Sequence, residues 1–295
     1  MAPLDRKTRG EQVLSAVNLT VLVLLTVLFL YPMWYCLMAS FSDANSLIGY
    51  RGFLFTPLGF SSEGYTTVFK NRNILTGYGN TLLYTCVGTI INVMLTTLGG
   101  YCLSRKNMML RRVVTIVIVF TMYVDFGLIP AFLNVRSLHL YNTRWALLLP
   151  GAINTYNLIV MRTAFLALPP SLEESAMLDG ANDITILFRI LMPLTKATLA
   201  VVTLFYAVGH WNSWYDAMIY LQDRQKFPLQ LFLREILIAN TTSTEMAMSR
   251  AQETQHLDEL IKYCSIIVST LPILAVYPFA QKYFVTGVMI GSVKG

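Results

Sequence analysis

Pro169-Pro170-Ser171-Leu172-Glu173-Glu174-Ser175-Ala176-Met177-Leu178-Asp179-Gly180-Ala181-Asn182-Asp183, continuing to Ile190-Leu191-Met192-Pro193, is a patterned, charge-bearing segment between two apolar runs of membrane-spanning length. A proline pair, a short amphipathic helix, a glycine break, a second short helix and a proline stop describe an elbow at a membrane surface. Pro169-Pro170 keeps the preceding helix from continuing. Ser171-Leu172-Glu173-Glu174 has the S-x-x-E spacing of a capping box, in which hydroxyl and carboxylate satisfy free N–H groups of a first turn. Gly180 supplies the left-handed or strain-free backbone that ends this helix, and Asn182 or Asp183 caps the next. Leu172, Ala176 and Leu178 are expected to share one apolar side, with the small pair Ser175-Ala176 allowing a partner close. Such an elbow is either a docking knob through which another protein pushes on a membrane domain, or an interfacial helix tucked under its own bundle.

The composition around it belongs to a membrane. Of 295 residues 55% are hydrophobic and only 13% charged, against about 25% charged in ordinary soluble domains. The mean hydropathy of +0.55 agrees. The net charge of +6 reads as cytoplasmic Lys/Arg anchoring rather than a nucleic-acid surface. Cys36, Cys86, Cys102 and Cys264 fall in apolar runs without C-x-x-C spacing, so they are expected as small buried hydrophobes; no metal site is expected.

Crossing a ~30 Å hydrocarbon core takes ~20 residues, and six stretches qualify. They lie at about 13–39, 79–104, 113–133, 145–163, 197–216 and 263–281. The expected fold is therefore all-α, a single polytopic domain over 13–295 after a short N-terminal segment, 1–12, which reads as a basic leader to an uncleaved first span. Arg6, Lys7 and Arg9, with Arg105, Lys106, Arg111 and Arg112 in the brief loop after span 2, set the cytoplasmic side. Both termini and the elbow loop, 164–196, then lie inside; the longer loops, 40–78 and 222–262, lie outside, the second expected to be partly helical.

Glu174-Ser175-Ala176, then Gly180, then Ile190, Met192 and Pro193 resemble the E-A-A-x-x-x-G-x9-I-x-L-P loop of permease subunits of binding-protein-dependent ABC importers. Ser175 and Met192 depart from the pattern by small or isosteric changes. Gly100-Tyr101-Cys102-Leu103-Ser104-Arg105, Gly209-His210-Trp211-Asn212 and the ending Gly287 to Gly295 are similar to elements of the maltose-type carbohydrate permeases. Phe227 to Leu237 resembles a branch handling complex or uronate-containing oligosaccharides.

The resemblance implies a type I importer permease in a bacterial inner membrane that moves an oligosaccharide by alternating access. Its partners would be a second permease, two copies of an ATPase that binds ATP and Mg, and an extracytoplasmic solute-binding protein. The elbow becomes the coupling helix, with Glu173, Glu174, Ser175, Ala176, Met177, Leu178, Asp179, Gly180, Ala181, Ile190 and Pro193 engaging the ATPase. Gly287, Gly291 and Lys294 would reach the ATPase from the tail. The sequence itself carries no G-x-x-x-x-G-K-[ST] phosphate loop and no H-E-x-x-H-like cluster, so the chain is read as a transport subunit and not an enzyme, with no cofactor of its own.

Asn154, Asn157, Trp211, Asn212, Trp214 and Asp216, in or beside spans 4 and 5, combine aromatic faces with amides and a carboxylate, a mixture that suits a saccharide path. Near a span's end Trp and Tyr are more often interfacial belt residues, which is the first reading of Trp214 and Tyr215. Trp211-Asn212 sits a turn deeper and is the better pathway candidate. Asp125 is an ionisable group within span 3, which by default faces a cavity or a partner. An ion-coupled secondary transporter of small polar solutes is the alternative; it would need intramembrane carboxylates in repeated halves, and no repeat is visible.

Overall fold

The computed structural model describes residues 8–47, 49–105, 107–124, 126–246 and 252–292. Asp125 and Lys294 lie outside the described residues. Among those residues the chain is helical throughout, with a single antiparallel bridge between Ser42 and Phe60. Among the described residues three helices are long and apolar enough to cross a membrane, and two bent helix pairs raise that number to five if each is one span.

In chain order, α1 (Arg9–Ser40) opens on a capping box closed by Thr8 and Glu11. α2 (Ala44–Leu47) and α3 (Glu63–Lys70) are short pieces of the polar region that follows. α4 (Arg72–Ser104) starts before Gly79 because Asn71 caps it, its side chain accepting from the N–H of Asn73. The run expected as one span at 113–133 is two helices, α5 (Arg111–Tyr123) and α6 (Leu128–Ser137).

The run expected at 145–163 is also broken. α7 (Trp145–Leu148) stops before Pro150-Gly151, and α8 (Thr155–Leu166) begins only after Asn154, which caps it by accepting from the N–H of Asn157. The elbow comprises α9 (Pro170–Leu178), α10 (Asp183–Thr185), a π-helical stretch at Ile186–Leu191 and α11 (Met192–Leu194). Thr195 turns its hydroxyl back onto the Leu191 carbonyl at 2.9 Å, and α12 (Lys196–Trp211) leaves at 89° to the preceding segment. α12 ends short of residue 216; α13 (Tyr215–Tyr220) follows, then a 3-10 turn, α14 (Leu229–Met246) and α15 (Gln252–Ser292). Helix does occupy part of the 222–262 region, as expected.

The chain forms two compact units, 1–70 with 236–268, and 71–235 with 269–295. In the first, Ala39, Leu47 and Leu54 make a small core ringed by Tyr35, Met38, Leu58 and Tyr263. The Cys264 thiol donates to the Ser40 carbonyl at 3.3 Å, which fits a buried cysteine. Cys86 and Cys102, in the other unit, are instead exposed. A thiol is apolar enough to face lipid or another chain, so an apolar run alone does not decide burial. The most apolar stretch of α1 buries none of its residues within this chain.

In the second unit α4 is the central helix. Gly77, Gly88 and Gly99 sit three turns apart on one face. Side chains fill the space they leave: an added Cβ would lie 2.9 Å from Phe232, 2.4 Å from His210 and 2.9 Å from Leu158 respectively. Two buried amides of this helix, Asn80 and Asn92, are spent on backbone outside the α-helices. Asn80 donates to the carbonyls of Gln225 and Phe227 at 2.7 and 3.0 Å. Asn92 donates to those of Gly151 and Ala152 at 2.8 and 3.1 Å, and its Oδ1 meets His210 Nε2 at 2.9 Å. Those carbonyls belong to the break between α7 and α8. Irregular backbone inside an apolar bundle persists only where protein groups satisfy it, and Asn92 is such a group.

Candidate functional site

The elbow helix starts two residues earlier than a capping box at Ser171 requires. α9 begins at Pro170, Pro169 occupies the cap position, and no side chain caps it. Proline at the first helical position has no N–H to satisfy and arrives with a helical φ, so it displaces the serine from the cap. The end of α9 follows expectation. Gly180 has φ +81°, Ala181 donates its N–H to Ala176 at 2.9 Å, and Gly180 donates to Met177 at 3.0 Å. That bond pair is a Schellman motif, which needs a left-handed residue where Gly180 stands. The Asn182 side chain then accepts from the N–H of Thr185 at 2.8 Å and starts the second limb.

The end of α4 grips both limbs. The Arg105 guanidinium pairs with Glu173 in the first turn of α9, and with Asp183 at the head of α10 at 2.7 Å. The Tyr101 hydroxyl donates to the same Asp183 oxygen at 2.8 Å, and the guanidinium lies 4.6 Å from the centre of the Tyr101 ring. Hydrogen bonds from Arg105 and then Tyr101 hold the Asp183 carboxyl below the usual carboxylate range. A lowered carboxylate pKa means the contact is complete at neutral pH and is lost only as pH falls through that range. Arg162 closes the end of α4 from the other side, its Nε donating to the Leu103 carbonyl at 3.1 Å.

Below this grip lies the largest core: Tyr101, Met161, Phe165, Ala176, Ile186, Leu187, Leu191, Val202 and Tyr206, with Ala181, Ile190 and Met192 packed on it. Ala176 therefore faces its own bundle, whereas Leu178 is 89% exposed and Ile184 67%. The expectation that Ala176 and Leu178 share an apolar side is corrected: two residues along a helix are ~200° apart. Glu174, Ser175, Met177, Asp179, Gly180 and Pro193 are exposed, and Glu173 is half-buried under Arg105. The elbow thus presents a mixed outer surface on a buried root.

The residues expected along a substrate path divide. Asn154 is exposed, and its backbone N–H donates to the Tyr206 hydroxyl at 2.9 Å; that hydroxyl also meets Thr96 at 2.6 Å. Asn212 and Asp216 are exposed and Trp214 half-buried. Asn157 is buried, and so is Trp211, whose indole N–H donates to the Ser269 carbonyl at 3.2 Å while its ring meets Tyr78 edge-on. Trp211 is thus enclosed by its own chain. Gly287 and Gly291 fall within α15.

Sequence reasoning missed Tyr101, Arg105 and Asp183 as a unit, although Tyr101 and Arg105 stand four residues apart in one quoted run. Asn92, a lone amide in an apolar stretch, was a signal left unread.

No family model matches the chain. It is 37% identical over 274 residues to the polygalacturonan/rhamnogalacturonan transport system permease protein YtcP of Bacillus subtilis (strain 168), covering 93% of this chain and 96% of that one. It is 37% identical over 289 residues to protein LplC of the same organism, covering 98% and 97%. A crystal structure of a bacterial ABC transporter involved in the import of the acidic polysaccharide alginate contains a chain that superposes with a TM-score of 0.86 at 32% identity, over 96% of this chain and all of that one.

Proposed function

The chain belongs to the permease subunits of ABC importers for sugars, and within that family we propose that its cargo is an acidic, uronate-containing oligosaccharide. It is a membrane-embedded transport subunit and not an enzyme, and an ion-coupled secondary carrier is not favoured. The cargo reading rests on one observation: a relative named for polygalacturonan and rhamnogalacturonan and a structure from an alginate importer each cover more than nine-tenths of this chain.

We further infer six spans with both termini cytoplasmic, the broken 145–163 run serving as one span despite its unwound middle. In this arrangement the chain pairs with a second permease, takes cargo from a solute-binding protein and docks on two ATPase copies, which hold the ATP and Mg. The elbow around Glu174 and Gly180 is the docking point, a reading supported by its exposed Leu178 and Ile184 over a rigid root. Gly287, Gly291 and Lys294 add the tail contact. Cargo passes the exposed groups Asn154, Asn212 and Asp216 and the half-buried Trp214, with Trp211 and Asn157 behind them and Asp125 as a further polar group on the way.

Uptake by proteoliposomes holding the assembled importer and its binding protein tests the cargo. Oligogalacturonates should enter with ATP hydrolysis, and neutral oligosaccharides of equal length should not. Uptake of the neutral sugars alone would overturn the acidic assignment.

A further inference from the structure

We propose that Arg105 is a positioning residue that ties the elbow to α4, so that a push on the elbow reaches a helix that contributes none of its residues to it. The proposal rests on the coupling reading above. By chain connection alone the elbow can pull only on α8, through Ala167–Pro169, and on α12, through Thr195. α4 joins neither end. Yet the last turn of α4 and the residue beyond it supply Tyr101 and Arg105, and both reach the elbow.

One guanidinium spans both limbs. Glu173 lies before the Gly180 turn and Asp183 after it, so opening the elbow at that turn breaks one Arg105 bond or the other. The Arg105 side chain is only 16% exposed and its Glu173 partner 27%, whereas Asp183 faces solvent. Charge-assisted bonds from a planar, multidentate donor are the stronger kind and hold geometry as well as charge. The Tyr101 ring supports the guanidinium face, and its own edge rests on Phe165 in the core below. The two adjacent carboxylates take different jobs: Glu173 is committed inward, while Glu174 remains exposed for a partner. Lysine at 105 would keep the charge but could not reach two carboxylates with fixed forks.

The test uses the complete importer in proteoliposomes, with its binding protein as purified from cells. Basal ATP hydrolysis, hydrolysis stimulated by the binding protein, and co-purification of the ATPase are each measured. Arg105→Lys should lower stimulated hydrolysis about ten-fold, and Tyr101→Phe or Asp183→Asn about three-fold, with basal hydrolysis and co-purification unchanged. Adding Asp183→Asn to Arg105→Lys should cost little more than Arg105→Lys alone, since both act through one contact. Wild-type stimulation in Arg105→Lys, or fully additive losses in the double variant, would overturn the proposal. If Arg105→Lys does not accumulate, Tyr101→Phe and Asp183→Asn decide, because each removes polar contacts and keeps its side chain's shape. Gly180→Val separates the two readings. Its loss of transport beside intact Arg105 variants sinks only the clamp, whereas its full transport sinks the coupling reading itself.

Discussion

Asn92 of α4 donates its side-chain amide to the carbonyl oxygen of Gly151 at 2.8 Å. A residue in the middle of one helix thereby completes the hydrogen bonding of a break beside another. The same amide group serves Ala152 and, through its oxygen, His210.

Asn92→Leu should therefore destabilise the chain without touching any outer or elbow residue. It strands two carbonyls and one ring nitrogen in an apolar setting, at about 1–3 kcal/mol for each group left unsatisfied. The thermal midpoint of the detergent-solubilised protein should fall, and Asn92→Gln should recover little because its longer stem moves the amide. An unchanged midpoint in Asn92→Leu would remove Asn92 from this role.

Gly180 is held at φ +81°, where an L side chain costs ~1–2 kcal/mol and a β-branched one more. Gly180→Val should abolish uptake while insertion into the membrane remains intact, and Glu174→Lys should do the same by reversing an exposed charge. Normal uptake by both variants would count against the elbow as the coupling element.

Leu178, at 89% exposed, contributes little to its own fold. Leu178→Asp should leave the melting temperature of the isolated chain within the scatter of the measurement. On the coupling reading, co-purification of the ATPase should drop at least several-fold, since a charge would replace the apolar group that docks. A variant that melts early yet holds its ATPase would place Leu178 in packing instead.

Trp211 and Asn212 are neighbours with opposite expected phenotypes. Trp211 is buried and bonded to Ser269, so Trp211→Ala should cost about 3–5 kcal/mol of stability and leave the cargo concentration for half-maximal hydrolysis unchanged. Asn212→Ala should leave stability unchanged and raise that concentration. The reverse pattern would move Trp211 back to the cargo path.

Much of this was legible in the residues themselves. Apolar stretches of membrane-spanning length, with arginines clustered in a short loop, announce a helical membrane protein because composition and period are local properties of the chain. The glycine stop of the elbow was equally plain, and the cap of its second limb was narrowed to Asn182 or Asp183, since each is decided by a few consecutive residues. Tertiary structure alone decided two things. It turned Ala176 inward and Leu178 outward, and it brought Arg105 onto Glu173 and Asp183. The last of these joins positions far apart along the chain. Such a contact leaves no period and no spacing in the sequence, because only the packing of α4 against α8 and the elbow brings the two ends together.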